Sequence, residues 1–530
     1  MPEEFDVVVA GGGHNSLIAA AYLAKAGQRC LVLEAMQEAG GDASSQELTL
    51  PGFLHDTCST AHNLLQSSPI IRREELGLAG YGLTYLHPDP VVHVPFPDGS
   101  WLTQWRDADR TYEEFAKFDR RDAAALHRML AGYADIAPLV SRYRYTPAGE
   151  GEPLAQLLAG HPRGAWWRRE DAMSAWDAIE REFADEHTRA FMLWMSFMTM
   201  QPPDRPGTGL LAYSLAFGRQ QHSWTLPQGG SAALPRALCR LIEDHGGVVR
   251  TGATVARLIV EGGGGRGARC TGVELATGEC LRAGKAVLST IHIKHLVDMA
   301  PPALWGEEFR ARVDAWQPGV SMFVTHYATT KPPRFAAGET TVTPVASGTP
   351  HSAARMLRVG ADFRAGRVAT DDPVLLVLCP TVADASRAPA GHHTLKVVGF
   401  QPYELPGGPE RWDEIRDEVS AANLALLRRY APDLADDVIL ASNIKSPLDL
   451  ERFNGHNWHG SCHGGDMTPA QSGRLRPAAG WANHRMPIPG LYQTGATTHP
   501  GGSVSGAPGR NAAAVILGDL GTTLAAVIGT

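Results

Sequence analysis

Near the N-terminus, apolar runs separated by glycines predict one strand–helix–strand unit. Residues 5–10 form a short valine-rich run, which is typical of a buried parallel strand. Three glycines interrupt this run, and residues 17–26 then have helix-forming composition up to Gly27. Residues 29–33 predict a second strand, which ends at Glu34. The three elements together form a βαβ unit.

The middle of the chain predicts a largely helical region followed by more strands. Residues 105–200 are mostly helical in composition, above all 111–133 and 170–200. A glycine turn at 227–230 precedes a helix that ends at Gly246. Residues 248–260 and 270–275 predict two strands of a hairpin joined by the glycine run at 262–267. A further strand follows Gly278, and residues 286–289 form another short apolar strand.

A second sheet is predicted from residues 320–327, 374–379 and 394–400, with a helix at 412–430 packed on it. Residues 338–348 predict a loop. The C-terminus returns to α/β character, with a strand at 491–495, a glycine-rich turn and a helix from about Arg510. We therefore predict a discontinuous cofactor domain of residues 1–75, 225–300 and 480–530. It encloses a substrate domain of residues 76–224 and 301–479 with a helical cap and a mixed sheet.

Composition and charge exclude several classes of protein. The chain has 530 residues, of which 44% are hydrophobic and 20% charged, and a net charge of −8, so it predicts no nucleic-acid partner. Its seven cysteines include no CxxC pair, which favours a reducing, cytoplasmic compartment over a disulfide framework. The sequence predicts no secretory signal, and it contains no apolar run of the roughly 18 residues that a spanning helix needs. Peripheral contact with a membrane and a homo-oligomer stay open.

The turn GGGHNS at residues 11–16 carries the strongest chemical signal. Gly11 allows a tight turn after the strand, and Gly13 lets a pyrophosphate approach the backbone. The N–H groups at the start of the following helix and the helix dipole favour phosphate. Ser16 takes the place of the third glycine of this fingerprint. The pattern predicts a dinucleotide site.

Glu34 and the residues after it indicate which dinucleotide. Glu34 ends the second strand, 23 residues beyond Gly11, where an acid can accept hydrogen bonds from the adenosine ribose and disfavours a 2′-phosphate. A second pair of glycines, Gly40 and Gly41, follows shortly afterwards. FAD enzymes of the amine-oxidase type use such a pair beside the pyrophosphate, and simple NAD dehydrogenases lack it. The predicted cofactor is therefore FAD, and no metal is predicted.

Four stretches of the chain, residues 11–27, 34–45, 227–238 and 491–513, resemble the phytoene-desaturase-like FAD-dependent oxidoreductases. This family lies within the wider amine-oxidase and glutathione-reductase-type superfamily. The resemblance implies an α/β fold with a discontinuous Rossmann-like FAD-binding domain and an inserted α+β substrate domain. The stretches follow the order of the family along nearly the whole chain.

The resemblance also implies roles for matching positions. Val255 would meet the adenine, Gly495 would end the last strand of the FAD domain, and Gly501, Gly502 and Ser503 would lie beside the flavin ring. The helix after Gly506 would point its N-terminus at the isoalloxazine. The complete predicted set of cofactor-binding residues is Gly11, Gly13, His14, Asn15, Ser16, Glu34, Ala35, Gly41, Asp42, Val255, Gly495, Gly502 and Ser503.

Catalytic residues are harder to predict, because a flavin can accept hydride without a side-chain nucleophile. His499, in THPGG, and His459, in NWHGSCHGGDM, are the two candidates for a catalytic base, each with a structural hydrogen-bonding role as the alternative. Residues 191–200, FMLWMSFMTM, predict either the wall of a hydrophobic substrate tunnel or a buried core helix.

These observations predict an FAD-dependent oxidoreductase that oxidises C–C or C–N bonds in a hydrophobic or cyclic small molecule. The glycine run at 262–267 lies between two strands with no helix after it, so it predicts no second site for NAD(P)H. The electron acceptor would then be oxygen, a quinone or another acceptor. Two alternatives stay open: a redox-neutral isomerase or hydratase that uses reduced FAD, and a non-catalytic FAD-binding protein.

Overall fold

The computed structural model describes residues 5–262 and 267–529. The predicted loop at 262–267 therefore has residues 263–266 outside the described part of the chain. The β-strands are β1 (Phe5–Ala10), β2 (Cys30–Leu33), β3 (Ser45–Glu47), β4 (Leu54–Asp56), β5 (Tyr85–Leu86), β6 (Val92–Pro95), β7 (Trp101–Gln104), β8 (Leu226–Pro227), β9 (Val248–Arg250), β10 (Val255–Glu261), β11 (Arg269–Leu275), β12 (Cys280–Ser289), β13 (Met322–Thr329), β14 (Phe335–Ala337), β15 (Thr340–Val342), β16 (Ala346–Thr349), β17 (Leu375–Leu378), β18 (His393–Phe400), β19 (Ile439–Lys445) and β20 (Leu491–Gln493).

The α-helices follow the same numbering along the chain. They are α1 (His14–Lys25), α2 (Asn63–Gln66), α3 (Pro69–Arg72), α4 (Ala108–Ala116), α5 (Arg120–Arg144), α6 (Leu154–Ala159), α7 (Gly164–Ala172), α8 (Ala175–Glu182), α9 (Glu186–Phe197), α10 (Gly209–His222), α11 (Ala233–Asp244), α12 (Ile293–Leu296), α13 (Pro302–Trp305), α14 (Glu307–Asp314), α15 (Ala353–Arg364), α16 (Trp412–Tyr430), α17 (Pro447–Phe453), α18 (Ala507–Asp519) and α19 (Leu524–Ile528).

The first large sheet contains the predicted βαβ unit. Its strand order is β10-β11-β12-β1-β2-β9, and β20 also pairs with β12. The pairs β12–β1, β1–β2, β2–β9 and β12–β20 are parallel, as expected for apolar strands covered by helices on their faces. All of its strands come from residues 1–75, 225–300 and 480–530. The α/β fold class with a Rossmann-like cofactor sheet is confirmed, while the domain boundaries stay a prediction.

One strand of this sheet was predicted as two. The structure has a single strand, β12, whose first half is antiparallel to β11 and whose second half is parallel to β1. The side chains of residues 280–285 are partly or fully exposed, whereas residues 286–289 are buried. The change from polar to apolar residues therefore marks the point where β12 changes its pairing from β11 to β1, and the strand itself is not broken. Conversely, the predicted strand at 248–260 divides into β9 and β10, with bends at 251–252.

The second large sheet has the order β19-β13-β18-β17-β16-β6-β7. Its predicted strands are confirmed as β13, β17 and β18, which pair antiparallel in the order β13-β18-β17. The helix predicted at 412–430 is confirmed as α16. Residues 338–348 differ from the predicted loop, because they contain β15 and most of β16. Gly348 of β16 packs so closely against Trp194 that a Cβ atom would overlap the indole ring.

The helical region has more breaks than its composition predicts. Residues 111–133 and 170–200 have helix-forming composition, but the helices there are interrupted, and Asp119, Ser174 and Asp185 lie in the interruptions and cap the helices that follow. Their carboxylate or hydroxyl oxygens accept hydrogen bonds from the first backbone N–H groups of α5, α8 and α9. Among the described residues, no helix has the length and apolar character needed to cross a bilayer.

A buried cluster of charges joins the segment before α11 to the second sheet. Arg387 is fully buried and forms ion pairs of 2.6 Å with Asp56 and 2.9 Å with Asp384, and it donates to the carbonyl oxygen of Pro227 at 2.7 Å. Asp384 in turn accepts from the Gly229 N–H at 2.7 Å. Burial alone would raise the pKa of Asp56, but Arg387 and further hydrogen bonds hold that pKa below its usual value. The cluster fixes the glycine turn at 227–230.

The substitution Arg387→Met should destabilise the fold by about 3–5 kcal/mol, because it leaves two buried carboxylates without their cation. The free energy of unfolding from urea denaturation measures the loss. Arg250→Met is the matched control, since the Arg250–Glu279 pair is about equally well formed but exposed at 42% and 43%. Equal stability of the two variants would contradict a structural role for the buried cluster.

Candidate active site

A cavity of about 770 Å³ lies between the first sheet, the second sheet and the helical region. Its wall takes residues from the ends of β1, β2 and β20 on one side, and from β13, β17, β18 and α10 on the other. Its volume is within the range of roughly 300–1,000 Å³ that cofactor and substrate sites usually have. The ends of parallel strands are also where α/β proteins bind their ligands.

The ends of three parallel strands meet at one corner of this cavity. Gly11 follows β1 with a φ of +95°, and Gly495 follows β20 with a φ of +96°. Thr290, which follows β12, lies between them, so that a Cβ atom on either glycine would come within 2.6 Å of its side chain. Such a distance is far below normal contact. Only glycine therefore fits at both positions, for conformation and for space.

The helix α1 begins at His14, three residues after Gly11. Gly13 is its N-cap, and its first N–H groups have no partner within the helix. Gly40 pairs with this turn: its N–H donates to the Gly12 carbonyl at 2.8 Å, and its own carbonyl accepts from the His14 N–H at 3.3 Å. A Cβ atom on Gly41 would lie 3.4 Å from the Cα of Gly13. The two predicted glycine segments thus lie side by side with bare backbone between them.

Glu34 lies at the end of β2, beside the same turn. Its carboxylate accepts from the Gly12 N–H at 2.8 Å and from the Met36 N–H at 2.9 Å, and it is 8% exposed. Burial raises its pKa, and the hydrogen bonds from the backbone oppose that shift. Each oxygen accepts one hydrogen bond, so each keeps a lone pair that a ligand hydroxyl can use.

Ser16, the departure from the glycine fingerprint, has a structural explanation. Its hydroxyl lies 2.6 Å from the Gly11 carbonyl oxygen and 2.8 Å from the Gly13 carbonyl oxygen, so it ties the turn to the helix. Close packing of α1 depends instead on Gly509 of α18, where a Cβ atom would overlap the Asn15 carbonyl. Ser16 is therefore compatible with the fingerprint turn, because its hydroxyl stabilises the turn at Gly11 and Gly13.

The structure brings almost all of the predicted cofactor-binding residues to this one cavity. Ser16 is the exception and does not line it. The residues on the wall are Gly11, Gly13, His14, Asn15, Glu34, Ala35, Gly41, Asp42, Val255, Gly495, Gly502 and Ser503. The helix predicted from about Arg510 is α18, which begins at Ala507, three residues before the predicted start and directly after Gly506 with its φ of +73°.

The charges near the glycine turn suit an anion held by backbone N–H groups. Burial lowers the pKa values of His14 and His456 to about 4, so both are neutral near pH 7. Burial raises the pKa of Asp42 to about 6, while Asn454 and Asn457 donate to its carboxylate at 2.9 and 3.0 Å. The start of α1 is therefore the main positive feature of this corner. The Oδ1 atom of Asn15 is buried and has no hydrogen-bond partner, so it can accept a hydrogen bond from a ligand.

Neither predicted catalytic histidine lies on the cavity wall. His499 is fully buried, donates to the Tyr143 carbonyl at 3.0 Å and packs edge-on against the Tyr143 ring. His459 lies 3.4 Å from Glu404 and stacks on Tyr403, with 30% of its side chain exposed. Both rings therefore have structural contacts, and their catalytic role stays a prediction. No cluster suited to a metal ion occurs within residues 5–262 and 267–529.

Residues 191–200 are divided between the core of the helical region and the cavity wall. Residues 191–197, in α9, are buried in the core of the helical region. Residues 198–200, beyond the end of that helix, line the cavity. The apolar part of the wall includes Met198, Met200, Leu211, Phe217, Met322 and Phe400.

Sequence analysis missed several ionisable residues of the wall, because they lie far apart along the chain. Lys396 of β18 donates to the Asp56 carbonyl at 3.2 Å and to the Cys58 carbonyl, and burial lowers its pKa. The thiols of Cys58 and Cys462 hydrogen-bond to each other, which raises the pKa of Cys58. Burial raises the pKa of Asp171 to about 6. They lie on β18, on α7 and in the segments that follow β4 and α17, so only tertiary packing brings them to one wall.

The chain matches a known family over most of its length. Residues 17–517 match the family of flavin containing amine oxidoreductases. Pyridine nucleotide-disulfide oxidoreductase domain-containing protein 2 of Rattus norvegicus is 28% identical over 562 residues, which cover 98% of this chain and 94% of that protein. A lycopene-forming phytoene desaturase of a Paracoccus species is 25% identical over 531 residues, which cover 98% of each chain. The predicted resemblance to phytoene desaturases is confirmed.

A solved structure supports the fold. A triple mutant of putrescine oxidase superposes with a TM-score of 0.61 at 14% identity, covering 98% of each chain. The glycine turns, the buried acid and the cavity suit a flavin dinucleotide, and the family match extends over both sheets. The chain therefore belongs to the family of flavin-containing amine oxidoreductases and is an FAD-dependent oxidoreductase.

Proposed function

We propose that FAD lies along the cavity with its adenosine at Glu34 and Val255 and its pyrophosphate at the start of α1. Glu34 would accept from the ribose hydroxyls with the lone pairs that the backbone leaves free. The bare backbone of Gly11, Gly13 and Gly41 would let the phosphates reach the N–H groups of α1. This proposal rests on the continuity of one cavity from the glycine turn to Gly495, Gly502 and Ser503.

The proposed reaction is the oxidation of a C–C or C–N bond in a hydrophobic or cyclic small molecule. When bound, the flavin supplies an acceptor for a hydride. The observation that carries the proposal is the apolar wall of the same cavity, formed by residues such as Leu211, Phe217 and Phe400. This wall would bind the body of the substrate by excluding water from it. The similarity to a phytoene desaturase supports a C–C bond as the target.

Removing a hydride from such a bond also releases a proton. The ionisable side chains that line the cavity outside the dinucleotide corner include Asp171, Lys396 and His463. Lys396 has its pKa lowered by burial and holds three hydrogen bonds to residues 56–60, so we assign it to positioning that loop. Asp171 and His463 are the candidates for taking the proton.

The proposed electron acceptor is oxygen or a quinone. A nicotinamide cofactor would need a second dinucleotide site. Among the described residues, the glycine-rich turn between the parallel strand β20 and the helix α18 lines the same cavity as the turn at Gly11, so it offers no separate dinucleotide site. The run at 262–267 joins the antiparallel strands β10 and β11.

The substitution Gly11→Ala should lower FAD affinity more than about tenfold, since the methyl group adds about 1–2 kcal/mol of backbone strain and also strikes Thr290. Gly27→Ala is the matched control, because Gly27 has a similar φ of +77° and nothing within 4 Å of its Cβ position. The ratio of bound FAD to protein after desalting measures the effect. Full FAD occupancy in the Gly11 variant would contradict the proposed pyrophosphate position.

Mixing the holoenzyme anaerobically with cyclic alkenes, polyenes and hydrophobic amines, each tested with and without a carboxylate group, should bleach the visible flavin absorbance with at least one class. The product should have lost two hydrogen atoms, and oxygen or a quinone should restore the absorbance. A product of unchanged mass that forms without net flavin reduction would contradict the proposal in favour of a redox-neutral reaction. A panel in which no compound of these classes reduces the flavin would also contradict the proposed substrate range.

A further inference from the structure

One cation on the cavity wall has no anion to pair with. Arg219 belongs to the last turns of α10 and lines the cavity. No ion pair among the described residues includes it, and its one side-chain hydrogen bond goes to the amide oxygen of Asn63. A guanidinium group carries five N–H donors in a planar fork, so most of its donors are free. Burial lowers its pKa to about 9, which still leaves it charged near pH 7.

The guanidinium is held in a fixed place despite this lack of a partner. It stacks on the Trp224 ring with 3.6 Å between its central carbon and the ring centroid. Trp224 is 2% exposed and lies nearly parallel to Trp194, with 6.5 Å between the ring centroids. Asn63, which accepts from Arg219, is itself fixed by donating to the Ser223 carbonyl. The stack and the amide orient the charged group without neutralising it.

An unpaired cation in an apolar cavity lowers the free energy of unfolding, and a bound anion offsets most of that loss. The acids that share the wall do not supply the anion. Glu34 and Asp42 are engaged by backbone and amide donors at the dinucleotide corner. Asp171 lines the cavity as well but forms no ion pair with Arg219. A planar carboxylate is the anion that best matches the free edge of a guanidinium, through two parallel hydrogen bonds.

We propose that Arg219 binds a carboxylate of the substrate, so that the substrate is a hydrophobic acid and not a neutral hydrocarbon or a simple amine. This inference rests on the proposed function, because it names the substrate class of the same cavity. The apolar wall holds the body of the molecule, and Arg219 fixes one end of it. Arg219 thereby sets which bond of the substrate faces the flavin.

The test compares matched probes on the holoenzyme: 3-phenylpropanoate against 3-phenylpropanol, and cyclohexanecarboxylate against cyclohexylmethanol. Binding is followed through the change that the probe causes in the flavin spectrum, with the rise in Tm as a second readout. We expect each acid to bind about 10- to 100-fold more tightly than its alcohol, which is the usual strength of a charge-assisted hydrogen bond. Equal affinity of acid and alcohol in the unmodified protein would overturn the inference.

Variants separate Arg219 from other sources of selectivity. Arg219→Met should bring the ratio of acid to alcohol affinity close to one, and Arg219→Lys should keep only part of it, because lysine retains the charge but lacks the planar fork. Arg110→Met is the matched control, since Arg110 stacks on Trp105 at the same 3.6 Å but lies on the surface. An unchanged ratio in Arg219→Met would overturn the inference.

The cofactor is the other possible source of the anion. If Arg219 paired with the FAD diphosphate, Arg219→Met would lose FAD, and that result would overturn the assignment to substrate. We expect full FAD occupancy in this variant. Should Arg219→Met fail to fold, Asn63→Ala provides a second variant, in which the acid should lose affinity because Arg219 is no longer oriented. If neutral compounds reduce the flavin and acids do not, this inference is wrong while the proposed function still holds.

Discussion

The structure depends on the close approach of three bare backbone segments at the ends of parallel strands. Gly11 and Gly495 enclose Thr290 so tightly that neither could carry a side chain, and Gly41 packs against Gly13 on the other side. This approach positions the start of α1 at the corner of the cavity, where the N–H groups of its first turn have no partner within the helix. The discontinuous chain follows from the same constraint, because each segment of the corner comes from a different part of the sequence.

Three cations inside the protein differ in how completely they are paired. Arg387 is fully enclosed by two carboxylates and a carbonyl oxygen, and its position fixes the glycine turn before α11. Arg219 is half-buried on the cavity wall and contacts the amide of Asn63 and the indole ring of Trp224. Lys396 is intermediate, since it donates to carbonyl oxygens of the loop after β4. The difference between a completed and an incomplete set of partners distinguishes a structural cation from one that is available to a ligand.

Local sequence was enough to predict the cofactor corner, because its signals are steric and lie within short stretches. The turn at Gly11, the acid at Glu34 and the apolar strand at residues 5–10 each act on their immediate neighbours. The wall of the substrate part was not predictable in this way. Lys396 and Arg219 belong to elements far apart in the chain, and only strand order and helix packing bring them to the wall of the same cavity. The motif of His499 lies next to cavity residues, but its ring is bonded to the Tyr143 carbonyl, and its catalytic role stays a prediction.

The most direct test of the central claim is the visible absorption spectrum of the purified protein, together with identification of the molecule that heat releases from it. The account predicts a flavin spectrum and one FAD released per chain. A colourless protein that also fails to bind added FAD would contradict it, because the glycine corner and the cavity would then serve some other ligand.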